Sequence, residues 1–111
     1  AFITFGGVPA NKLTGKGAEF VKKYLEKHKA EPEAYAVYGY VAAKVAIDAI
    51  TRAGKRDRTA IREAMAATKE DNGVLGTWSF DANGDTTVKT MSGNTVKAGK
   101  FEFVSVLGQS K

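Results

Sequence analysis

The most apolar segment of the chain runs from Tyr35 to Ala53 and is followed by Gly54. After the tyrosines, its few charged and hydroxyl-bearing residues recur at helical spacing along one narrow ridge, and they are Lys44, Asp48, Thr51 and Arg52. Because small and aliphatic residues occupy most of the remaining circumference, the pattern predicts a helix that neighbouring elements cover on several sides. Gly54 predicts the end of this helix. Charged residues interrupt the segment too often for it to span a bilayer.

Two more helices are predicted, one on either side of this central helix. Residues 18–29 have an apolar face at helical spacing, which consists of Phe20, Val21, Tyr24, Leu25 and His28. Pro32 then predicts a turn, because it lacks a backbone donor and disfavours helical geometry in the residue before it. After the central helix, Asp57 predicts the N-cap of a helix from Arg58 to about Thr68.

Both ends of the chain carry the residue patterns of β-structure. A first strand is predicted from Phe2 to Phe5, and it breaks at Gly6 and Gly7. The later predictions, in chain order, are a turn at Asp71–Gly73, a strand from Val74 to Phe80, a turn at Asp81–Asp85, a strand from Thr86 to Met91, a turn at Ser92–Asn94 and a strand from Lys100 to Leu107. The predicted order is therefore β-α-α-α followed by a β-hairpin and one or more C-terminal strands, which is an α/β fold.

Composition and charge exclude some classes of function. The chain has 111 residues, no cysteine and a net charge of +5, so disulfides and thiol chemistry are absent. Its one basic cluster lies around the junction of the second and third predicted helices, at Arg52, Lys55, Arg56, Arg58 and Arg62. Aromatic residues do not alternate with this cluster, so no nucleic-acid partner is predicted. The first predicted strand is entered midway, and we expect that an N-terminal portion, with any signal peptide, is missing from the chain.

Candidate catalytic and metal-binding motifs are incomplete. The only histidine, His28, lies at the edge of an apolar helix face, which favours a structural role. Gly15–Gly17 resembles part of a phosphate-binding loop, but its lysine is not followed by serine or threonine. Asp81–Asp85 resembles the first half of a calcium loop, yet the sixth position is Thr86 and the twelfth is Ser92, and a hairpin turn explains the segment equally well. The chain is therefore predicted to have no catalytic residue, no metal and no cofactor, and not to be an enzyme.

The start of the central helix is the most promising functional segment. It carries Tyr35, Val37, Tyr38 and Tyr40 around Gly39. Aromatic rings with hydroxyl groups, placed beside the free N–H groups of a helix start, suit a small-molecule ligand. Plain packing against a neighbouring sheet accounts for the same residues, and the residue pattern alone leaves both interpretations open.

Three segments of the chain resemble one protein family, and they are Thr4–Pro9, Pro32–Ile50 and Gly73–Asp85. In this order and spacing they are similar to the C-terminal third of the type I periplasmic solute-binding proteins. The branch that serves branched-chain amino-acid ABC transporters is the most similar. The resemblance covers nearly all of the chain, and it implies part of a two-lobe αβα sandwich that closes on a ligand.

The resemblance also implies how the chain is divided between the lobes. Residues 1–8 would form a strand of the second lobe and a crossover, residues 12–96 the helices and hairpin of the first lobe, and residues 100–108 a return strand. By motif position, Val37 would pack against the ligand. The ligand-binding residues that the resemblance implies are Tyr35, Val37, Tyr38, Tyr40, Gly6 and Gly7, the two glycines lying near the hinge and the mouth of the cleft.

The function that the resemblance implies is non-catalytic. The protein would be the periplasmic or membrane-tethered extracellular component that delivers an amino acid, or a related aromatic or aliphatic acid, to an ABC permease. The groups that hold the amino and carboxylate ends of a ligand would lie in the missing N-terminal portion, and the small Val37 would leave space for a bulkier ligand. A chain without that portion is expected to self-associate through exposed apolar surface. The alternative is a ligand-sensing domain of a receptor or regulator with the same architecture.

Overall fold

The computed structural model describes residues 1–108 of the chain. Its elements, in chain order, are β1 (Phe2–Gly6), a 3₁₀ turn (Ala10–Lys12), α1 (Lys16–His28), α2 (Ala36–Ala53), α3 (Arg58–Ala66), β2 (Lys69–Gly73), β3 (Gly76–Ser79), β4 (Met91–Lys97) and β5 (Lys100–Leu107). All three predicted helices are present, as are the first and last predicted strands. The β-structure between residues 69 and 97 differs from the prediction. Among residues 1–108, no helix combines the length and the apolarity that crossing a membrane requires.

The central helix, α2, ends where the sequence predicted, because Gly54 takes the left-handed conformation (φ 66°) that closes a helix. Four residues at helical spacing form its buried face, and they are Val37, Val41, Val45 and Ala49. The opposite face is not covered by the described residues, since Ile47 is 63% exposed and Ile50 is 52% exposed. The prediction that α2 is covered on several sides is therefore wrong for residues 1–108. The reason is that α3 and the β2–β3 hairpin both pack on one side of it.

The short helix α3 begins after Asp57, as predicted. The Asp57 carboxylate accepts a hydrogen bond of 2.7 Å from the backbone N–H of Ala60, which satisfies one of the donors that a helix start leaves free. The helix ends at Ala66 rather than near Thr68. Thr68 is instead buried, and its hydroxyl accepts a hydrogen bond of 3.1 Å from the guanidinium of Arg52. This bond links the end of α3 to the last turn of α2.

The strand β4 is the middle strand of an antiparallel sheet with the order β1-β4-β5. The predicted turn at Ser92–Asn94 is wrong, because these residues lie inside β4 and are buried. Their polar side chains are satisfied within the sheet: the Asn94 amide donates to the Ser92 hydroxyl at 3.2 Å, and that hydroxyl donates to the Phe5 carbonyl at 3.5 Å. The chain turns from β4 to β5 at Ala98–Gly99, where both residues have positive φ.

The strands β2 and β3 form a separate antiparallel hairpin. The predicted turn at Asp71–Gly73 is wrong, because these residues belong to β2 and the chain reverses at residues 74–75. The Thr77 hydroxyl accepts a hydrogen bond of 3.1 Å from the Asn72 N–H and donates to the Asp71 carboxylate at 3.2 Å. These cross-strand bonds hold Asn72 at its positive φ (48°) inside an irregular strand, where the local sequence alone favours a turn.

The predicted turn at Asp81–Asp85 is confirmed. The Asp81 N–H donates to the Asp85 carbonyl at 2.8 Å, and the Asp81 carboxylate accepts from the N–H groups of Asn83 and Asp85. The predicted strand at Thr86–Met91 is wrong, because Thr86 makes only an isolated bridge to Phe80 and Met91 already opens β4. Within residues 1–108, no three His, Asp or Glu side chains lie close enough together to hold a metal ion.

The hydrophobic core is small and lies between α2, α3 and the β2–β3 hairpin. Its buried centre is formed by Val41, Val45 and Trp78, and the partly buried residues around it are Met65, Val74, Leu75, Phe80 and Val88. No helix packs broadly on the β1-β4-β5 sheet among the described residues. The sheet therefore extends beside the core, and the molecule measures 52 × 36 × 21 Å.

The assignment of residues 1–8, 12–96 and 100–108 to lobes and crossovers stays a prediction. Within the chain, β4 pairs with both β1 and β5. Residues 91–96, which the prediction placed with the helices, therefore share a sheet with the first and last segments. The chain passes from the portion with the helices and the β2–β3 hairpin into the β1-β4-β5 sheet at residues 90–91, where β4 begins.

A lysine on the polar ridge of α2 connects this helix to β2. The Lys44 ammonium donates to the Asp48 carboxylate at 2.6 Å and to the Glu70 carboxylate at 3.2 Å. The hydrogen bond with Asp48, followed by that with Glu70, raises the pKa of Lys44 above its ordinary value of 10.5. The charged form is therefore the one that the folded state favours.

We expect Lys44→Met to lower the free energy of unfolding by about 0.5–1 kcal/mol at neutral pH, since partly exposed ion pairs are screened by solvent. Because the pKa of Lys44 is raised in the folded state, its contribution is fully present below pH 10.5 and is lost as the pH rises through the folded-state value. Urea unfolding of the parent and the variant from pH 8 to pH 11.5 measures this. If the difference in the free energy of unfolding between parent and variant stayed constant from pH 8 to pH 11.5, the ion pairs of Lys44 would not have the stabilising role assigned to them.

Candidate functional site

Two neighbouring segments connect the β1-β4-β5 sheet to the rest of the described chain. β1 ends at Gly6 and β4 begins at Met91, and these two residues are paired in the sheet. Just beyond them, the Gly7 N–H donates to the Thr90 carbonyl at 2.8 Å. The chain therefore leaves the sheet and returns to it at a single place. The predicted site residues Gly6 and Gly7 lie at this place.

Gly7 lies directly against Tyr38. Its φ of 97° is a conformation that favours glycine, and a Cβ at this position would lie 1.5 Å from the Tyr38 hydroxyl oxygen. Gly6 has no such close neighbour among the described residues, since a Cβ there would meet none of their atoms within 4 Å. The structure thus brings two of the predicted site residues, Gly7 and Tyr38, into direct contact.

The environment of Tyr38 keeps its hydroxyl protonated. Burial is the largest cause, and it raises the pKa of Tyr38 above its ordinary value, while a backbone hydrogen bond with Val8 acts in the opposite direction and Tyr35 adds a smaller increase. The hydroxyl is therefore neutral at physiological pH. It can donate a hydrogen bond, but it is not poised as a base or a nucleophile.

Tyr35 is the most accessible of the predicted aromatic residues. It precedes α2 as the N-cap residue, and its side chain is 70% exposed. Its ring lies 5.3 Å from the ring of Phe5 and 6.4 Å from that of Tyr38, measured between centroids. The three rings form a continuous aromatic surface, the Phe5–Tyr35–Tyr38 surface. Sequence reasoning missed Phe5, although its position directly before Gly6 and Gly7 was the available signal.

The structure separates Tyr40 and Val37 from this surface. Two residues along a helix turn the side chain by about 200°, so Tyr40 points away from Tyr38 and packs on Phe20 of α1, with 5.0 Å between ring centroids. Val37 is only 1% exposed, so a ligand would reach it only if neighbouring residues moved. Ligand contact by Tyr40 and Val37 stays a prediction.

A cavity of about 650 Å³ lies between the sheet and the segment that precedes α2, next to the aromatic surface. Phe5, Pro9 and Phe103 give it an apolar lining, and Glu31 and Asn94 add polar groups. This volume fits a small organic molecule. Chemically, the aromatic surface and the cavity offer area for an apolar group, together with tyrosine hydroxyls and one carboxylate.

Residues 2–100 match the model of the periplasmic binding protein family. The chain belongs to this family. The prediction of the family and that of an α/β fold of the type I periplasmic binding proteins are confirmed by this match and by the structural similarities that follow.

Among curated proteins, a Leu/Ile/Val-binding protein homologue of Brucella abortus is 39% identical over 82 residues, which cover 74% of this chain and 21% of that protein. Among solved structures, the leucine-binding protein LivK of Thermotoga maritima is 35% identical, with a TM-score of 0.82 over 97% of this chain and 31% of that one. The branched-chain amino-acid transporter substrate-binding protein LivJ of Streptococcus pneumoniae, in complex with isoleucine, is 29% identical, with a TM-score of 0.78 over 96% of this chain and 30% of that one. The chain thus spans between a fifth and a third of the length of these relatives.

Proposed function

We propose that the chain is part of a non-catalytic solute-binding protein that delivers an amino acid to an ABC permease. The observation that carries this proposal is the overlay of 97% of the chain on a leucine-binding protein with a TM-score of 0.82. The protein would bind its ligand between two lobes, and the closed form would be recognised by the permease. It would work in the periplasm or outside the cell while tethered to the membrane. No observation on this chain favours the sensing alternative over transport.

The ligand class that we propose is the branched-chain amino acids. The relative from Streptococcus pneumoniae was solved with isoleucine, and the Phe5–Tyr35–Tyr38 surface provides apolar area for a side chain of that kind. The groups that hold the ligand's ammonium and carboxylate ends would come largely from the remainder of the protein. The same remainder would cover the exposed face of α2, and a chain lacking it would self-associate through that face.

The proposal is tested by isothermal titration of isoleucine into the complete gene product and into its Tyr35→Ala variant. We expect the parent to bind, and we expect the variant to bind about tenfold more weakly, because removing an accessible aromatic ring from the ligand surface costs roughly 1.4 kcal/mol.

Tyr40→Ala is the matched control, since Tyr40 belongs to the same helix but packs on Phe20. We expect its affinity to stay within about twofold of the parent, once the melting temperature shows that both variants are folded. Equal losses in the two variants would exclude the aromatic surface as the ligand site. Failure of the parent to bind isoleucine, and then leucine and valine titrated in the same way, would exclude the proposed ligand class.

A further inference from the structure

A narrow connection joins the β1-β4-β5 sheet to the helical part of the chain, which is the portion between β1 and β4 that contains α1, α2, α3 and the β2–β3 hairpin. Within residues 1–108 only two segments link them, at Gly6–Gly7 and at Thr90–Met91. These segments are hydrogen-bonded to each other rather than to a helix. Since no helix within residues 1–108 packs broadly on the sheet, a connection of this kind can bend unless a side chain from the helical part braces it.

Tyr38 contacts this connection directly and is in a position to brace it. It projects from the first turn of α2, and the later turns of that helix are held by α3 and the β2–β3 hairpin. Its hydroxyl occupies the space that a Cβ of residue 7 would need, so the backbone of Gly7 rests against it. Gly7 is in turn bonded to Thr90, so contact with one segment restrains both.

We infer that Tyr38 is a positioning residue that sets the angle between the β1-β4-β5 sheet and the helical part of the chain. Tyr38 acts through its contact with Gly7. Its hydroxyl faces the connection and is not the part of the Phe5–Tyr35–Tyr38 surface that a ligand touches. Tyr35 also contacts the sheet, at Phe5, but because its side chain is largely exposed, it does not set this angle. Tyr38 sets this angle whether or not a ligand is bound, whereas the effect of Tyr38 on ligand affinity rests on the proposed function.

The angle is measured by the distance between two nitroxide labels in the complete gene product without ligand. Exposed Lys22 in α1 and exposed Lys100 in β5 are replaced by cysteine and labelled, because they lie in the two parts of the chain. Tyr38→Leu removes the ring and its hydroxyl. We expect the variant's distance distribution to be shifted or clearly broader than that of the parent.

Hydrogen exchange provides a second measurement, and it uses a variant that differs from the parent by a single hydroxyl group. Tyr38→Phe removes only the hydroxyl that contacts Gly7, and we expect the Gly7 amide to exchange about tenfold faster, while amides in α3 keep their rates. Tyr40→Phe is the matched control, since it removes a hydroxyl from the same helix on another face, and its Gly7 amide should exchange at the parent rate.

Isoleucine affinity separates this inference from the proposed function. If the protein binds isoleucine, we expect Tyr38→Phe to weaken binding about three- to tenfold, because fewer molecules hold the competent angle. A protein that binds no isoleucine but shows the changed distances and exchange rates would exclude isoleucine as the ligand and support the positioning role. Unchanged label distances in Tyr38→Leu, or equal Gly7 exchange in Tyr38→Phe and Tyr40→Phe, would overturn the positioning role. If Tyr38→Leu fails to fold, the positioning role is tested by the comparison of Gly7 hydrogen exchange in Tyr38→Phe and Tyr40→Phe.

Discussion

Replacing Trp78 with alanine will lower the free energy of unfolding by about 3–5 kcal/mol, which is a large part of the stability of a typical domain. Trp78 is 8% exposed and forms the centre of the hydrophobic core with Val41 and Val45. Its indole also meets the ring of Phe80 edge-on, with 5.2 Å between centroids. Alanine would leave a cavity that α2 and the hairpin cannot both collapse into, since each is held by other contacts. Urea unfolding of the complete gene product, followed by circular dichroism, measures the loss.

Trp78→Phe is the graded control for this prediction. It keeps an aromatic ring against Phe80 and removes less volume, so we expect it to lose less than half as much stability as the alanine variant. A loss below about 1 kcal/mol for Trp78→Ala would show that the core between α2 and the hairpin is not what holds this part of the molecule together.

The helices could be predicted because their signals are local. α2 ends at Gly54, and α3 starts after Asp57, for reasons contained within one turn of helix. Sequence periodicity also located the polar ridge of α2, but it did not single out the face with Val41 and Val45 as the buried one. It did not show that the opposite face, with Ile47 and Ile50, is left uncovered by the described residues, because an apolar surface indicates that something packs on it but not which segment does so.

The strand β4 could not be predicted because its stability comes from distant residues. Ser92–Asn94 have the composition of a turn, yet they pair with β1 at the other end of the chain. Gly93 leaves space for the ring of Phe2, and the polar side chains on either side of it bond within the sheet. Where long-range pairing satisfies every polar group, it overrides local turn preference.

The candidate site shows the same division between local and long-range information. The aromatic start of α2 was visible in the sequence, and so was the break after β1. That Gly7 touches Tyr38, and that Tyr35 joins Phe5 while Tyr40 joins Phe20, depends on how α2 is placed against β1 and α1. The three tyrosines look equivalent in the sequence, but the helix turns them toward different neighbours.

The two helical glycines are expected to respond in opposite directions to alanine, and Gly17→Ala should cost about 1–3 kcal/mol of stability. Gly17 is buried in the first turn of α1, where a Cβ would lie 2.8 Å from the Val74 carbonyl oxygen and 2.8 Å from the Cβ of Leu13. A backbone carbonyl cannot move aside as a side chain can, so α1 would have to shift away from the hairpin. The glycine that resembled part of a phosphate loop is therefore explained by close packing.

Gly39→Ala is the matched control in α2, because a Cβ at Gly39 would meet nothing within 4 Å of the described chain. There the only effect is the better helix propensity of alanine, which should raise the free energy of unfolding by about 0.5–1 kcal/mol. Thermal and urea unfolding of both variants of the complete gene product measure the contrast. If Gly17→Ala were also stabilising, α1 would not pack against residue 74 as closely as the structure shows, and the contact between α1 and the hairpin would have to be reassigned.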